Sequence, residues 1–140
     1  MNVAYFLKPK SEIAVMQSDF TVRQGLEKLK LCGYSAIPVI DRKGRYVGTI
    51  GEKEFLNKFT SFIEKSSMNH EKVDKFLQSS MKALIRPDAY PAVSITASAS
   101  DLMNLAVEQN FVPVVDDDGI FIGIVTRRDI IKYFAYSFDQ

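Results

Sequence analysis

Residues 36–59, AIPVIDRKGRYVGTIGEKEFLNKF, and residues 111–134, FVPVVDDDGIFIGIVTRRDIIKYF, align without a gap at an offset of 75. Pro38 matches Pro113, Asp41 matches Asp116, Gly44 matches Gly119, Gly48 matches Gly123 and Phe59 matches Phe134. Apolar positions between these anchors also coincide: Val39 with Val114, Tyr46 with Phe121, Val47 with Ile122, Ile50 with Val125. After a one-residue shift, Leu26 and Leu29 correspond to Leu102 and Leu105, and VAYFL at 3–7 resembles VDKFL at 73–77. A self-similar chain of this kind folds as two copies of one supersecondary unit, each needing the other or a neighbour to bury its apolar face.

Each copy carries the same local signals. Helical periodicity runs through TVRQGLEKLKLCGY, with Gly33 as a C-terminal stop, and through SASDLMNLAVEQ, with Ser98 or Ser100 as N-cap. Short apolar strands follow, IPVID and FVPVVD, and then the turns DRKG and DDDG, whose glycines supply a positive φ. A second strand, YVGTI or FIGIV, leads into EKEFLNKFTSFIEK or RRDIIKYFAYSF as a closing helix. The expected fold is α+β: two β-α-β-β-α repeats, residues 1–68 and 69–140, each preceded by a short helix. The repeats are expected to pack sheet to sheet about a pseudo-twofold axis, with two related clefts. The connector 60–72, TSFIEKSSMNHEK, reads as polar and carries no assigned function.

Composition narrows the function classes. Apolar residues make up 46% and charged residues 25%, a globular balance. A net charge of +1 gives no broad basic field for nucleic acid or anionic membrane. Apolar runs are far too short to span a bilayer, and MNVAYFLKPKSE lacks the pattern of a secretory signal, so a cytoplasmic protein with no membrane partner is expected. Cys32 is the one cysteine and His70 the one histidine, which leaves no internal disulfide and no zinc site of the usual type. Cys32 sits on an amphipathic segment and His70 in the polar connector, a poor arrangement for a catalytic pair. Neither a G-x-x-x-x-G-K-[ST] loop nor H-E-x-x-H nor G-x-S-x-G occurs. No catalytic residue, metal or cofactor is therefore assigned, and the chain is read as a non-enzyme.

One segment carries chemistry: GIVTRRDII, Gly123 to Ile131. Thr126 followed at three residues by Asp129 fits a helix capping box. The same residues fit a ligand site, because an ionised carboxylate accepts from a diol and a helix start favours phosphate. Taken alone, the spacing leaves both readings open.

The two P-V-[IV]-D…G…[VI]-G blocks, with G-I-V-T-R-R-D at 123–129, resemble a tandem pair of CBS domains over essentially the whole chain. The segment G-Y-S-A-I-P at 33–38 together with T-R-R is similar to small stand-alone bacterial CBS-pair proteins, some of which bind cyclic di-AMP and others AMP, ADP or ATP. The resemblance implies that Asp129 takes the ribose hydroxyls and Thr126 helps hold ribose or phosphate. Arg127 and Arg128 add cationic reach, and Ile13, Ala14, Tyr34, Ser35 and Ala36 hold the base. In the first repeat Gly51 stands where the hydroxyl residue belongs and Glu54 where the Asp belongs, so one competent site and one weak or empty cleft are expected. The function implied is a regulatory sensor of an adenine nucleotide or cyclic dinucleotide, acting on an effector protein by a change of shape. A homodimer formed through the repeat helices is implied as well, helped by apolar residues such as Leu29, Phe59, Met103 and Phe134. The alternative is a structural or protein-interaction dimer that binds no ligand.

Overall fold

The computed structural model describes residues 2–33, 35–65, 69–86 and 88–137. Strands and helices follow in the order β1 (Lys8–Pro9), β2 (Met16–Gln17), α1 (Val22–Cys32), β3 (Ala36–Ile40), β4 (Tyr46–Gly51), α2 (Glu52–Lys65) and α3 (His70–Gln78). The second half continues with β5 (Val93–Ser94), α4 (Ala99–Glu108), β6 (Phe111–Val115), β7 (Phe121–Thr126) and α5 (Arg127–Ser137). Short 3₁₀ turns occupy Val3–Phe6, Lys10–Glu12 and Met81–Leu84. The result is a mixed α/β protein with two sheets, one of order β1-β7-β6-β5 and one of order β2-β3-β4.

The chain divides into two compact units, cut differently from the sequence repeats. Unit 1 is Met1–Ile13, Lys43–Tyr46 and Tyr90–Gln140; unit 2 is Ala14–Arg42 and Val47–Ala89. The reason lies in the sheets and cores. The first residues of the chain add β1 antiparallel to β7, Lys8 opposite Ile124 and Pro9 opposite Gly123. Val3 and Phe6 are buried in one core with Val93, Leu102, Val112, Val114, Val125 and Ile130. Likewise Met81 and Leu84 are buried with Met16, Val22, Ile37, Val39 and Ile50.

Within each unit the same local chemistry builds the same elements. In unit 2, β2 runs parallel to β3, Met16 opposite Val39, and α1 is the crossover that such a parallel pair needs. Thr21 and Gln24 close a full capping box at its start, and Gly33 stops it at φ 67°. In unit 1, β5 runs parallel to β6, Val93 opposite Val114, with α4 as the crossover. Ser98 caps α4 by accepting from the Asp101 N–H at 3.1 Å, which decides between the two serines. The β6–β7 turn is held by Asp116, whose Oδ1 accepts from the N–H groups of Asp118 and Ile120, both at 2.9 Å, with Gly119 at φ 78°. Both expected turn glycines have a positive φ, Gly44 at 84° included.

The closing helix of the first repeat ends where the sequence places it, α2 running to Lys65. Only the later part of the 60–72 connector differs, since α3 begins at His70 behind an Asn69 cap. Residues 66–68 lie outside the described residues. The polar composition of the connector conceals an aromatic stripe on α2. Phe55, Phe59 and Phe62 share one face of α2 and meet Phe76 of α3 with ring centroids 5.2–6.2 Å apart. That burial extends the helix past the point where its exposed composition turns polar. Among the described residues no helix is long and apolar enough to cross a membrane.

Gly123 is where β1 joins the sheet. A Cβ built there would run into the Lys8 carbonyl oxygen and stand 2.8 Å from Leu7 Cδ1. Gly123→Ala is therefore expected to destabilise the protein by about 1–3 kcal/mol through forced displacement of β1. A urea denaturation curve with an unchanged midpoint would show that β1 is not held at this position.

Candidate functional site

The junction between β7 and α5 holds the T-x-x-D spacing, and its geometry is explicit. The Thr126 hydroxyl donates to Asp129 Oδ2 at 2.7 Å, and the Thr126 N–H donates to the same oxygen at 3.3 Å. In return the Asp129 N–H donates to Thr126 Oγ1 at 3.0 Å. This is a capping box, so the structural reading of the spacing is realised. It uses only one carboxylate oxygen. Oδ1 takes no part in these bonds.

Asp129 also lines a groove of about 500 Å³ lying wholly within unit 1. One side is the N-terminal segment, Tyr5 to Lys8 with Glu12. The other is a face of α5 bearing Asp129, Lys132, Tyr133 and Tyr136. These four stand at i, i+3, i+4 and i+7, the spacing that puts side chains on one helical face. Tyr133 ties the two sides together, with its ring 5.0 Å from Phe6 and 6.2 Å from Tyr5. Tyr5 and Tyr136 remain exposed at the rim. The groove thus offers a fixed carboxylate, two ammonium groups from Lys8 and Lys132, a second carboxylate from Glu12, and aromatic walls. The helical stripe counted from Asp129 would have revealed Lys132, Tyr133 and Tyr136 in the sequence. Lys8 and Glu12 had no local signal, because only the β1–β7 pairing brings them there.

The two arginines of the motif part ways. Arg127 donates from Nε to the Ala106 carbonyl at 2.7 Å, from Nη2 to the Val107 carbonyl at 2.7 Å and from Nη1 to Asn110 Oδ1 at 3.2 Å. Its guanidinium closes the C-terminal end of α4, a helix with no basic residue of its own in the last turn. Arg127 lines a separate apolar recess with Met103, Val107, Ile130 and Ile131, not the groove of Asp129. Arg128 is exposed, with no ion pair or hydrogen bond among the described residues.

Ile13 belongs to unit 1 and closes the second 3₁₀ turn, its N–H donating to the Lys10 carbonyl at 3.3 Å. Ala14, Ser35 and Ala36 belong to unit 2. Ala14 packs half-buried against the unit 2 core, and Ala36 opens β3. The Ser35 carbonyl accepts from the Glu52 N–H at 3.0 Å. Tyr34 lies outside the described residues. The structure therefore brings Thr126 and Asp129 together in unit 1, and Ser35 and Ala36 together in unit 2. The latter two sit against Gly51: a Cβ there would run into the Ser35 carbonyl oxygen and stand 3.0 Å from Ala36 Cβ. The missing hydroxyl of the first repeat thus has a steric cause. Glu54 follows on α2, 5% exposed, with Arg86 Nη2 at 3.8 Å from its Oε1. Among the described residues no cluster of His, Cys, Asp or Glu could hold a metal ion.

A model of the CBS domain matches residues 7–61 and again residues 82–136. The chain belongs to the CBS-domain family. Each match falls within one of the two repeats read from the sequence. Cyclic di-AMP receptor B of Bacillus subtilis is 28% identical over 131 residues, spanning 94% of this chain and 84% of the receptor. The crystal structure of Listeria monocytogenes CbpB in complex with c-di-AMP superposes with a TM-score of 0.75 at 25% identity, covering 98% of this chain and 97% of that one. CBSX2 in complex with AMP superposes with a TM-score of 0.76 at 25% identity, covering 99% and 98%.

The capping role of Arg127 is directly testable. Arg127→Lys keeps the charge but loses the planar fork that reaches Ala106, Val107 and Asn110 at once. It is expected to cost about 1–2 kcal/mol of stability, the worth of one or two charged hydrogen bonds. A denaturation midpoint equal to wild type would remove Arg127 from the support of α4.

Proposed function

We propose that this CBS protein is a regulatory module that binds an adenine nucleotide, AMP, ATP or cyclic di-AMP, and acts on an effector protein through a change of shape. The observation that carries the reading is the state of Asp129. Its Oδ2 is locked by Thr126, which fixes the carboxylate, while the residue lines an open groove. A carboxylate held in this way is a preorganised acceptor for the two hydroxyls of a ribose. Lys8 and Lys132 lie in the same groove as counter-charges for phosphate. Relatives that bind c-di-AMP or AMP support the ligand class. The contacts implied by resemblance for Ile13, Ala14, Tyr34, Ser35, Ala36, Arg127 and Arg128 belong to this proposal and are open to the same titrations. The module is taken to be non-catalytic and cytoplasmic, with the nucleotide as regulatory ligand and not as cofactor.

A shift works only as far as the ligand prefers one form. Saturation at about 100 times the dissociation constant stabilises by about 2.7 kcal/mol, which for a chain of this size is roughly 5–10 °C in Tm. AMP, ATP and cyclic di-AMP are the probes, and at least one is expected to give that shift. Asp129→Asn preserves an oxygen for the Thr126 hydroxyl. It is expected to fold normally and to weaken binding at least about tenfold, the worth of a lost charged hydrogen bond. Affinity unchanged in Asp129→Asn overturns the assignment of the groove.

A second reading, a structural dimer without ligand, draws on the bonds that Asp129 and Arg127 make to the protein itself. Absence of a shift with every probe decides for it.

Homodimerisation is proposed in either case. Of the four apolar residues expected to serve it, Leu29 and Met103 pack on the cores and Phe59 joins the aromatic cluster, while Phe134 is exposed. Others stand exposed too, at matching repeat positions. Leu31 is 83% exposed and its counterpart Val107 73%; Leu56 is 57% exposed and its counterpart Ile131 67%. Leu56 lines an apolar recess between α1 and α2, and Val107 and Ile131 line one between α4 and α5. Leu56→Glu with Ile131→Glu is expected to convert a dimer into a monomer by light scattering. A wild-type chain that is monomeric at micromolar concentration refutes the proposal.

A further inference from the structure

The two repeats treat their motif carboxylates in opposite ways. Gly123 of β7 lies against Leu7, and Gly48 of β4 lies against Ile85, whose Cγ2 would stand 2.5 Å from an added Cβ. Gly48 and Gly123 are matching positions, so Leu7-Lys8-Pro9 matches Ile85-Arg86-Pro87 in sequence, and the match of residues 3–7 with 73–77 is corrected: the 3₁₀ turn Val3–Phe6 has its counterpart in Met81–Leu84. Lys8 is therefore the counterpart of Arg86, and Asp129 the counterpart of Glu54. In unit 1, Lys8 and Asp129 line an open groove, with no ion pair between them among the described residues. In unit 2, Glu54 is 5% exposed and Arg86 Nη2 stands 3.8 Å from its Oε1.

We propose that Arg86 takes the Glu54 carboxylate out of ligand service: the unit 2 copy of the motif is occupied by the protein's own guanidinium, and Arg86 is the residue that limits the chain to one nucleotide carboxylate. Removing one partner of a nearly buried ion pair leaves a charge with no counter-charge beside it, which is costly. A neutral diol that displaced Arg86 would remove that counter-charge and return only hydrogen bonds. The exchange is unfavourable, and nothing else in the segment offsets it. Gly51 brings no hydroxyl, and Ser35 and Ala36 stand where its side chain would go. In unit 1 the shorter Asp129 is steadied by Thr126, and Lys8 has no ion-pair partner among the described residues, so a ligand there meets an unoccupied acceptor. The ligand half of this inference rests on the nucleotide reading above; the pairing half does not.

A double-mutant cycle tests the pairing without ligand. Arg86→Ala is expected to raise the unfolding constant about tenfold at neutral pH, the loss for one partner of a half-exposed pair. In the Glu54→Gln background the same change should cost less than about threefold, because no charge is then stranded. Equal costs in the two backgrounds overturn the pairing. Isothermal titration with AMP and with cyclic di-AMP tests the consequence. Glu54→Gln should leave affinity and stoichiometry within about twofold of wild type, while Asp129→Asn loses about tenfold or more. A comparable loss in Glu54→Gln, or two equal adenine sites per wild-type chain, overturns the proposal. If wild type binds neither probe, the nucleotide reading falls and the cycle alone decides whether Arg86 holds Glu54.

Discussion

The reciprocal hydrogen bonds between Thr126 and Asp129 set the direction of everything that follows them. They satisfy free N–H groups at the start of α5 and fix where the helix leaves the sheet. Once that direction is fixed, Asp129, Lys132, Tyr133 and Tyr136 fall on one face, and Tyr133 can pack on Phe6. The cap and the groove are therefore not rival uses of one motif. The cap spends Oδ2 and aims the helix; the groove is what the aimed helix makes with the N-terminal segment.

The first repeat solves the same junction without the hydroxyl. There β4 passes so close to Ser35 and Ala36 that only glycine fits at position 51, and the helix start is tied down through the Glu52 N–H on the Ser35 carbonyl. In the second repeat the equivalent backbone pair, Arg127 N–H and Asn110 carbonyl, is longer at 3.4 Å against 3.0 Å, and Arg127 anchors the region with its side chain instead. Two copies of one fold thus diverge at a single crossing: one closes the strand down on its neighbour and gives up a side chain, the other keeps the side chain and braces the gap with a guanidinium.

Much of this was legible in the sequence because it is local or repeated. Caps, turn glycines, strand pairs and the T-x-x-D junction are short-range signals, and finding them twice separated them from chance. What the sequence leaves open is the long-range partners. The carbonyl groups that Arg127 reaches become visible only once α4 lies alongside. The segment from His70 looks like linker until α3 places Phe76 against Phe59 and Phe62. Lys8 and Glu12 carry no signal at all, since their place depends on a β1–β7 pairing across more than a hundred residues. Composition and spacing describe what an element needs. They do not say which distant segment meets the need.

The balance of charge in the groove bears on how it can discriminate. Lys8 and Lys132 are matched by Glu12 and Asp129, so the site has no strong net field to draw anions in. Selection must then come from geometry: a ligand with both hydroxyl donors and phosphate, at the separation of the carboxylate and the ammonium groups, gains from each pair, whereas a bare phosphate or a bare nucleoside leaves one half unpaired. The groove is also made of two pieces with unequal anchorage. The helical side is fixed by the cap, while the N-terminal side reaches the sheet through the two residues of β1. Under the nucleotide proposal, a ligand spanning both pieces would gain most in the form where they stand at the right spacing, and that difference in affinity would set how far binding shifts the equilibrium.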